Sequence, residues 1–553
     1  MLKELKRLPR TLDETYERIL NSIEDEDQQY ARRALVWLAF SIRPLQIEEL
    51  AEAAVVDPQI NPPFDPGERF IDPTNNILEI LSSLVIVSSI SNGSDDSDDS
   101  DSSDSKDSTR AWFSGTKDVG HTPGAIKLAH FSVKEYLVSE RIHDRTPTFS
   151  TSVINGNLFI MEGCIQYIIQ YHESPSKSYS PADLKDFPLL EYSCGFWYLH
   201  EHKVPLEYQK QVEPLIFRLF LSESLLLTWV QVYHPDHLWI RPDRIFPLAK
   251  PLYYASDLGL QNVVEMLLEQ QAGVNEAVAT LRQTALHRAA RQGHVEVVRL
   301  LLEHQADIDA IDCKGETALL MATKEKHETV IKLLVECDAD VNRQNMSGWT
   351  ALLWAASNRD EDRWTVLGWV AGRNEVIVRL LLEHQADVNR QGRGGWTALH
   401  WAASTGNEAI VKLLLEHQAD VNRHGKGGWT ALHWAVCHRN KAIVKLLLEH
   451  QADVNRQNED GQTALHSAAD EGNEAIVKLL LEHQADVNMQ DEEGWTALHS
   501  AAYKRYEAIV KQLMEYKADI DITTSEKKTA LQLATERGCI GIVRLLSQYP
   551  LAR

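Results

Sequence analysis

Histidine offers the most obvious potential for metal chemistry in this sequence, because 22 are present and many recur at two fixed positions. Five follow a Thr-Ala-Leu triplet, and five end a leucine-rich segment. Equivalent residues of stacked repeats lie about 10 Å apart, the thickness of one helix layer. Zinc needs ligands at about 2 Å, so we predict structural roles and no metal site. The two sets are His287, His400, His433, His466 and His499, and His304, His384, His417, His450 and His483.

Tryptophan is a second recurrent type, and it has the chemistry of a binding surface. One set comes between a Gly and a Thr, and a Trp after a turn glycine has little chance of full burial. Because Trp is a leading hot-spot residue, we predict that at least two of these contact a partner; the alternative is packing on the neighbouring turn. A second row, inside a predicted helix, is expected in the core between repeats. The sets are Trp349, Trp396, Trp429 and Trp495, and Trp354, Trp401 and Trp434.

Basic residues occupy the same turns as the first tryptophan set. No acidic residue lies between Arg390 and Trp396 or between Arg423 and Trp429. This pattern favours binding of an acidic or phosphorylated peptide through charge pairs and cation–π contacts; the alternative is a solvated edge. The predicted contact cations are Arg343, Arg390, Arg393, Arg423, Lys426 and Arg456.

Signatures of catalysis are weak. The segment 115–122 nearly fits the phosphate loop G-x-x-x-x-G-K-[ST], but His121 stands at the lysine position and Pro123 follows where a helix should open. The sequence contains no H-E-x-x-H, G-x-S-x-G or paired-carboxylate pattern. We therefore predict no enzymatic activity and no cofactor.

The elements that position the recurrent residues are repeats. Thr-Ala-Leu begins at 284, 317, 350, 397, 430, 463, 496 and 529, a period of 33 residues broken once by a 14-residue insertion placed at 359–372. A degenerate copy at 251–255 makes about nine repeats over 250–553. Within one copy, Thr430 is an N-cap for a short helix. The second helix, at 442–450, has an apolar band so wide that neighbouring copies must cover it on both sides.

These motifs strongly resemble the ankyrin repeat, in the period of 33, the T-A-L-H helix start and the A-D-V-N finger. The resemblance implies an α-solenoid that binds proteins through a concave face of fingers and first helices, with the T-A-L-H histidines bonding Thr and backbone. The family's Gly after the second helix is usually Gln here. If that residue is left-handed, each Gln costs about 1 kcal/mol against Gly. These residues are Gln305, Gln385, Gln418, Gln451 and Gln484.

The N-terminal part carries no repeat. Its segments 8–16, 43–50 and 128–137 are similar to the region that follows the NACHT ATPase module in fungal NACHT–ankyrin proteins of the NOD-like class. The resemblance implies a winged-helix-like domain at 1–149. Since the chain begins after the point where the ATPase would end, we expect the nucleotide-binding module to be absent.

A winged helix often binds DNA, but the predicted recognition helix at 45–56 argues against it here. It carries Glu48, Glu49 and Glu52 and no Lys or Arg, so a phosphate backbone should repel it. We interpret this domain as an internal packing module, with direct nucleic-acid binding not expected.

An acidic segment interrupts the N-terminal domain. Residues 91–109 hold eight Ser, seven Asp and one Lys, so we predict a disordered insertion over about 91–125. Its simplest role is a solvated loop; an electrostatic or phosphorylatable arm is the alternative. We hypothesise that 91–109 docks on the basic strip in the same molecule and occludes it.

The charge balance and the cysteines limit the classes of partner and the cellular compartment. Lys plus Arg total 56 against 80 Asp plus Glu, a net charge of −24, which disfavours binding to nucleic acids or anionic membranes. Six Cys without a C-x-x-C pair, and no apolar run long enough for a membrane span, suggest a reducing compartment, the cytoplasm or nucleus.

The predicted fold is mostly α: a winged-helix-like domain (1–149), a helical connector (150–249) and an ankyrin solenoid (250–553). We expect a non-catalytic intracellular scaffold or regulator whose ankyrin groove binds a protein. The alternatives are a nuclear transcription coregulator and a nucleotide-dependent NOD-like switch.

Overall fold

The computed structural model describes two compact units, residues 1–267 and 268–553. The described residues are 8–60, 63, 67, 69–70, 72–81, 84–87, 125–143, 146–180, 182–233, 249–278, 280–357 and 370–548. The predicted acidic insertion, the near-phosphate loop and most of the 359–372 insertion lie outside them. The fold is mostly helical, as the sequence predicts.

The first part of the N-terminal unit combines helices with a small sheet. The sheet is antiparallel in the order β1-β3-β2, with Leu45 opposite Ile126 and Val85 opposite Leu128. The elements are α1 (Leu8–Asn21), α2 (Gln28–Phe40), β1 (Leu45–Gln46), α3 (Ile47–Val55), α4 (Pro73–Leu81), β2 (Val85–Val87), β3 (Ala125–Leu128), α5 (Phe131–Leu137) and α6 (Glu140–His143).

Helix α3 corrects two details of the sequence analysis. It begins at Ile47 and not at residue 45, because the Glu49 carboxylate accepts the Gln46 N–H at 2.8 Å and caps the helix there. Glu49 and Glu52 are buried and pair with Arg43 and Arg69, both at 2.5 Å. These two carboxylates therefore do not present charge to a DNA backbone. The better physical reason against groove insertion is that nearly the whole helix is buried.

A helical layer follows in the same unit. Its centre is aromatic: Trp197 and Trp229 are fully buried with ring centroids 6.4 Å apart. The elements are a 3-10 turn at Pro147–Phe149, α7 (Val153–Glu173), α8 (Asp183–Asp186), α9 (Leu190–Glu201), α10 (Leu206–Gln209), α11 (Glu213–Leu221), α12 (Glu223–Val232), α13 (Pro251–Leu258) and α14 (Gln261–Glu269).

The first repeat packs on this helical layer, which explains why the units divide at 267 and not at 250. Tyr254 on α13 contacts Trp229 edge-on at 5.9 Å. The Asn262 amide donates to Gln209 Oε1 at 3.1 Å and to Glu213 Oε1 at 3.2 Å. These contacts attach the degenerate copy to the preceding helices.

The C-terminal unit repeats a pair of antiparallel helices. The pairs are α15–α16 (Ala285–Gln292, Val295–Glu303), α17–α18 (Ala318–Lys324, Glu328–Glu336), α19–α20 (Ala351–Ser357, Val370–Glu383), α21–α22 (Ala398–Thr405, Glu408–Glu416), α23–α24 (Ala431–Cys437, Lys441–Glu449), α25–α26 (Ala464–Asp470, Glu474–Glu482), α27–α28 (Ala497–Lys504, Glu507–Glu515) and α29–α30 (Ala530–Glu536, Ile540–Gln548). Helix α20 has 14 residues where α22 has 9, so the described end of the insertion extends this helix.

The glutamines that follow the second helices are left-handed, which is the condition on which their expected cost against glycine depends. Gln305, Gln385, Gln418, Gln451 and Gln484 all have φ between 62° and 64°. An asparagine of the preceding finger holds each turn: Asn422 donates to the Gln451 carbonyl at 3.3 Å and accepts the Asp453 N–H at 2.7 Å. This bond pair offsets part of the cost of a side chain in left-handed backbone.

No single helix in the described part of the chain is long and apolar enough to cross a membrane. By length and composition alone, α11 and α12 taken together could form a broken membrane span or a re-entrant loop. The two helices meet at 91°.

Candidate functional site: a tryptophan ladder on the repeat fingers

Six tryptophans of the C-terminal unit form one continuous stack, which we call the tryptophan ladder. Each step joins a finger Trp to a Trp of a first helix, either in its own repeat or in the next. The order is Trp354–Trp349–Trp401–Trp396–Trp434–Trp429, and successive ring centroids are 5.4, 5.2, 4.4, 4.5 and 5.1 Å apart. Indole rings at these distances are in direct contact.

The ladder is partly open to solvent along its length. All six rings are intermediate in exposure, neither covered nor free. The expectation that the finger tryptophans are not fully buried is confirmed, whereas the first-helix row lies between repeats as expected but is not fully buried. Trp354, Trp401 and Trp434 keep part of their surface open, although Trp401 and Trp434 each contact two finger tryptophans.

Trp495 does not belong to the ladder. The repeat that would connect it has Gln462 and Ser467 at the two tryptophan positions. Trp495 instead packs edge-on against Tyr503 at 5.4 Å, and the Arg537 guanidinium lies 3.7 Å from the Tyr503 ring. The sequence-predicted Trp set thus divides into three ladder members and one separate aromatic–cation group.

Buried histidines fix the positions of the ladder fingers. The Thr397 N–H donates to His400 Nδ1 at 3.2 Å, and His400 Nε2 donates to the carbonyl of Trp429 at 3.1 Å. The implied framework role of this histidine is confirmed. Desolvation by burial lowers the pKa of His400 and of His433 to about 4. A neutral ring, protonated on Nε2, is what this bonding requires.

Glycine-rich tips leave the ladder edge uncovered. The tip at 392–395 is Gly-Arg-Gly-Gly and the next, at 425–428, is Gly-Lys-Gly-Gly. A Cβ on Gly425 would lie 3.1 Å from Trp396 Cδ1 and 3.4 Å from its Nε1. Adjacent tips are joined by the Lys426 N–H, which donates to the Gly394 carbonyl at 2.7 Å. A side chain at Gly425 would crowd the indole edge, whereas glycine keeps it accessible.

The predicted contact cations lie on the ladder fingers or on the finger that follows them. All six are exposed, and none forms an ion pair with any residue in the described ranges. Arg393 and Lys426 lie at the tips, and the others follow the finger asparagines. They are Arg343, Arg390, Arg393, Arg423, Lys426 and Arg456.

One cation at the N-terminal end of the ladder was missed from the sequence. Lys324 Nζ lies 4.6 Å from the Trp354 ring and 2.6 Å from the Glu316 carboxylate. Lys324 is seven residues after the repeat's Thr317, a position where other copies have Arg, Ser, Cys, Asp, Tyr or Glu. Because this position varies, no pattern in the sequence singles it out.

Metal chemistry has no support in the part of the chain that the structure describes. No group of three or more His, Cys, Asp or Glu there is arranged to hold a metal ion. The second histidine set instead caps helices: His304 and His450 each bond through Nδ1 to a backbone carbonyl four residues earlier, at 2.9 Å.

The ankyrin family profile, described as ankyrin repeats in three copies, matches residues 252–345, 308–362, 345–425, 423–491 and 484–551. The chain belongs to the ankyrin-repeat family, and its repeats indicate a role in protein–protein interaction.

A curated relative adds a second comparison. The chain is 32% identical over 324 residues to a Monascus ruber protein named azaphilone pigments biosynthesis cluster protein L. The match covers 55% of this chain and 61% of that protein, so the chain spans about three fifths of the relative's length.

Proposed function

We propose that this protein is a non-catalytic scaffold or regulator that binds a partner protein through the tryptophan ladder. The observation that carries the proposal is a stack of six partly exposed indoles on repeat fingers and first helices. Partly exposed Trp clusters are costly to leave hydrated and are frequent interface hot spots.

The chemistry around the ladder supports an acidic partner segment. Within the described residues, the indole N–H groups of Trp396 and Trp429 have no hydrogen-bond partner, and the neighbouring tips present Arg393 and Lys426. No carboxylate lies in tips 392–396 or 425–429. Side chains that offer donors and no carboxylate suit a carboxylate or phosphate ligand.

The test is affinity capture on the full chain, with the Trp396→Ala, Trp429→Ala double variant compared with wild type. We expect the same partner to be captured by wild type and by a Trp495→Ala control, and lost from the double variant. Hot-spot truncation costs about 2 kcal/mol or more, about thirtyfold in affinity. Equal capture by all three proteins would move the interface elsewhere. Circular dichroism melting confirms that each variant folds.

The chain's own acidic segment, 91–109, is one candidate competitor for the same surface. Deleting it should raise the affinity for an acidic partner, and more strongly at low salt, because exposed charges are screened over about 8 Å at physiological ionic strength. An unchanged affinity at both salt concentrations would reject this competition.

The N-terminal unit is proposed to be the winged-helix-like packing module of NACHT–ankyrin architectures. The order of helices α1–α3, the three-stranded antiparallel sheet and helix α5 supports the proposal. The remaining nucleotide-switch hypothesis is tested by titration with ATP. We expect no binding, and saturable binding would contradict a purely non-catalytic role.

Two cellular settings fit a scaffold. The name of the Monascus relative associates that protein with a pigment biosynthesis cluster, and we propose by likeness a partner from a biosynthetic system. A nuclear coregulator is the other proposal, and the location of a tagged full chain separates them: nuclear enrichment favours the coregulator, and exclusion from the nucleus rejects it.

A further inference from the structure

Four consecutive repeats place an arginine at the same point of the finger, and we call these residues the arginine row. Each follows the finger asparagine, and each backbone N–H donates to the Asp three residues earlier at 3.1–3.3 Å. The row is Arg343, Arg390, Arg423 and Arg456.

The spacing of the row is held constant by the asparagines. Asn342, Asn389, Asn422 and Asn455 all donate to the left-handed Gln of the next repeat, at 3.3–3.5 Å. Each also accepts the N–H of the next finger Asp at 2.7 Å. Identical bonds in successive layers give identical offsets, so neighbouring arginine backbones are one layer apart, about 10 Å.

The row has defined ends and is free to bind. The equivalent residue is Ala310 in the preceding repeat and Met489 in the following one. All four arginines are exposed, and none has an ion-pair partner among the described residues. The row is therefore a set of four cations at regular spacing with no internal neutralisation.

An extended chain matches this spacing in only one common conformation. A polyproline II helix rises about 3.1 Å per residue with three residues per turn, so every third side chain lies on one face, about 9 Å apart. In a β-strand the third residue points to the opposite face. To match all four arginines, a polyproline II segment therefore requires acidic residues at positions i, i+3, i+6 and i+9.

We propose that the arginine row binds an acidic segment in polyproline II conformation, with one carboxylate at every third residue and one contact per repeat. This deepens the proposed function and rests on it, because three of the four fingers that carry the row also carry a ladder tryptophan. Aromatic surfaces are suited to polyproline II ligands, and the ladder supplies such a surface on the same fingers. Charge complementarity with the unpaired arginines identifies the ligand as acidic.

A sequence with this period occurs in the chain itself. Aspartates recur at 95, 98, 101, 104 and 107, each three residues after the last. A synthetic peptide of residues 94–108 therefore serves as the probe. The control peptide has the same composition with its aspartates contiguous, so the two differ in spacing and not in charge.

The experiment measures binding of both peptides to the full chain at low and physiological salt, by fluorescence anisotropy. We expect the periodic peptide to bind at least about fivefold more tightly, since each exposed charge pair contributes a fraction of a kcal/mol. Equal or tighter binding of the contiguous peptide would overturn the proposal, because it would show a response to charge density alone.

Variants test the row directly. The Arg390→Gln, Arg423→Gln double variant should bind the periodic peptide about fivefold more weakly. Met489→Arg, which lengthens the row, should bind it about twofold more tightly. The matched control, Arg379→Gln with Arg439→Gln, removes two exposed arginines that pair with Glu375 and Glu471. An equal effect of the control pair would also overturn the proposal.

The outcome is separable from that of the proposed function. If the Trp396→Ala, Trp429→Ala variant loses its partner and the two peptides bind equally, the ladder interface is retained. The match between every third peptide residue and one arginine per repeat is then rejected. If the periodic peptide binds more tightly but no partner depends on the ladder, the match between peptide and arginine row is supported and the ladder interface is rejected.

Discussion

The ladder repeats and the repeats that follow them share one framework and differ in the surface they present. In the repeat after the ladder, His466 donates to the Trp495 carbonyl at 3.0 Å, just as His400 in the ladder donates to that of Trp429 at 3.1 Å. Beyond the ladder, the tips become acidic, with Glu459 and Glu492 where the ladder tips have Arg393 and Lys426. The difference teaches that framework and recognition occupy separate positions of the repeat, so one can change without the other.

Acid should affect both regions alike, because it acts on the shared framework. Burial holds the pKa of His400 and His433 in the ladder repeats near 4, and it also lowers the pKa of His466 in the next repeat below the 6.5 of an exposed histidine. Because the unfolded state takes up the proton at a higher pH than the folded state, the free energy of unfolding is highest above about pH 6.5. It falls as the pH drops toward 4, by up to about 3 kcal/mol for each histidine whose pKa is near 4.

Urea unfolding midpoints measured between pH 7.5 and 4 check this expectation. His400→Gln should be less stable at neutral pH and less sensitive to acid than wild type, because it loses the titrating group. A variant that keeps the full acid sensitivity of wild type would show that other groups dominate.

Lengthening the ladder should make the next repeat resemble it. Gln462→Trp with Ser467→Trp restores both tryptophan positions and should extend the stack beyond Trp429. We expect about tenfold tighter binding of a ladder-dependent partner, since an added aromatic contact contributes about 1 kcal/mol or more. Titration calorimetry against wild type measures it, and the Gln462→Ala, Ser467→Ala variant is the control.

The smallest predicted effect concerns the left-handed glutamines, which both regions share. Gln418→Gly and Gln451→Gly remove side chains at φ 63° and 64°. Each should stabilise the protein by about 0.5–1 kcal/mol and raise its melting temperature by a few degrees. Differential scanning calorimetry measures the shift, and an unchanged melting temperature would mean that the asparagine bonds already remove the strain.

The repeat framework could be predicted from the sequence because each framework residue recurs every 33 positions. Local chemistry determines where the helices begin, where the left-handed Gln falls and which bonds His400 makes. The single ladder could not be predicted in the same way. Period fixes which residues are equivalent, but whether Trp396 contacts Trp401 and Trp434 depends on side-chain rotamers.

The N-terminal unit shows the same limit without any repeat to help. The charges of Glu49 and Glu52 are visible in the sequence, but their partners Arg43 and Arg69 are set by tertiary packing. For the same reason the sequence does not show that α13 packs on α11, because these helices are distant in the chain. Buried pairing converts residues that look like surface charge into structural elements.

The most direct test of the account makes one ladder repeat resemble the repeat at 462. Trp396→Gln with Trp401→Ser replaces both indoles with the residues found there, and affinity for a partner captured by the wild-type chain is then measured by calorimetry. We expect the affinity for the partner to fall about thirtyfold or more while the protein remains folded. An unchanged affinity in a folded variant would contradict the ladder as the binding surface.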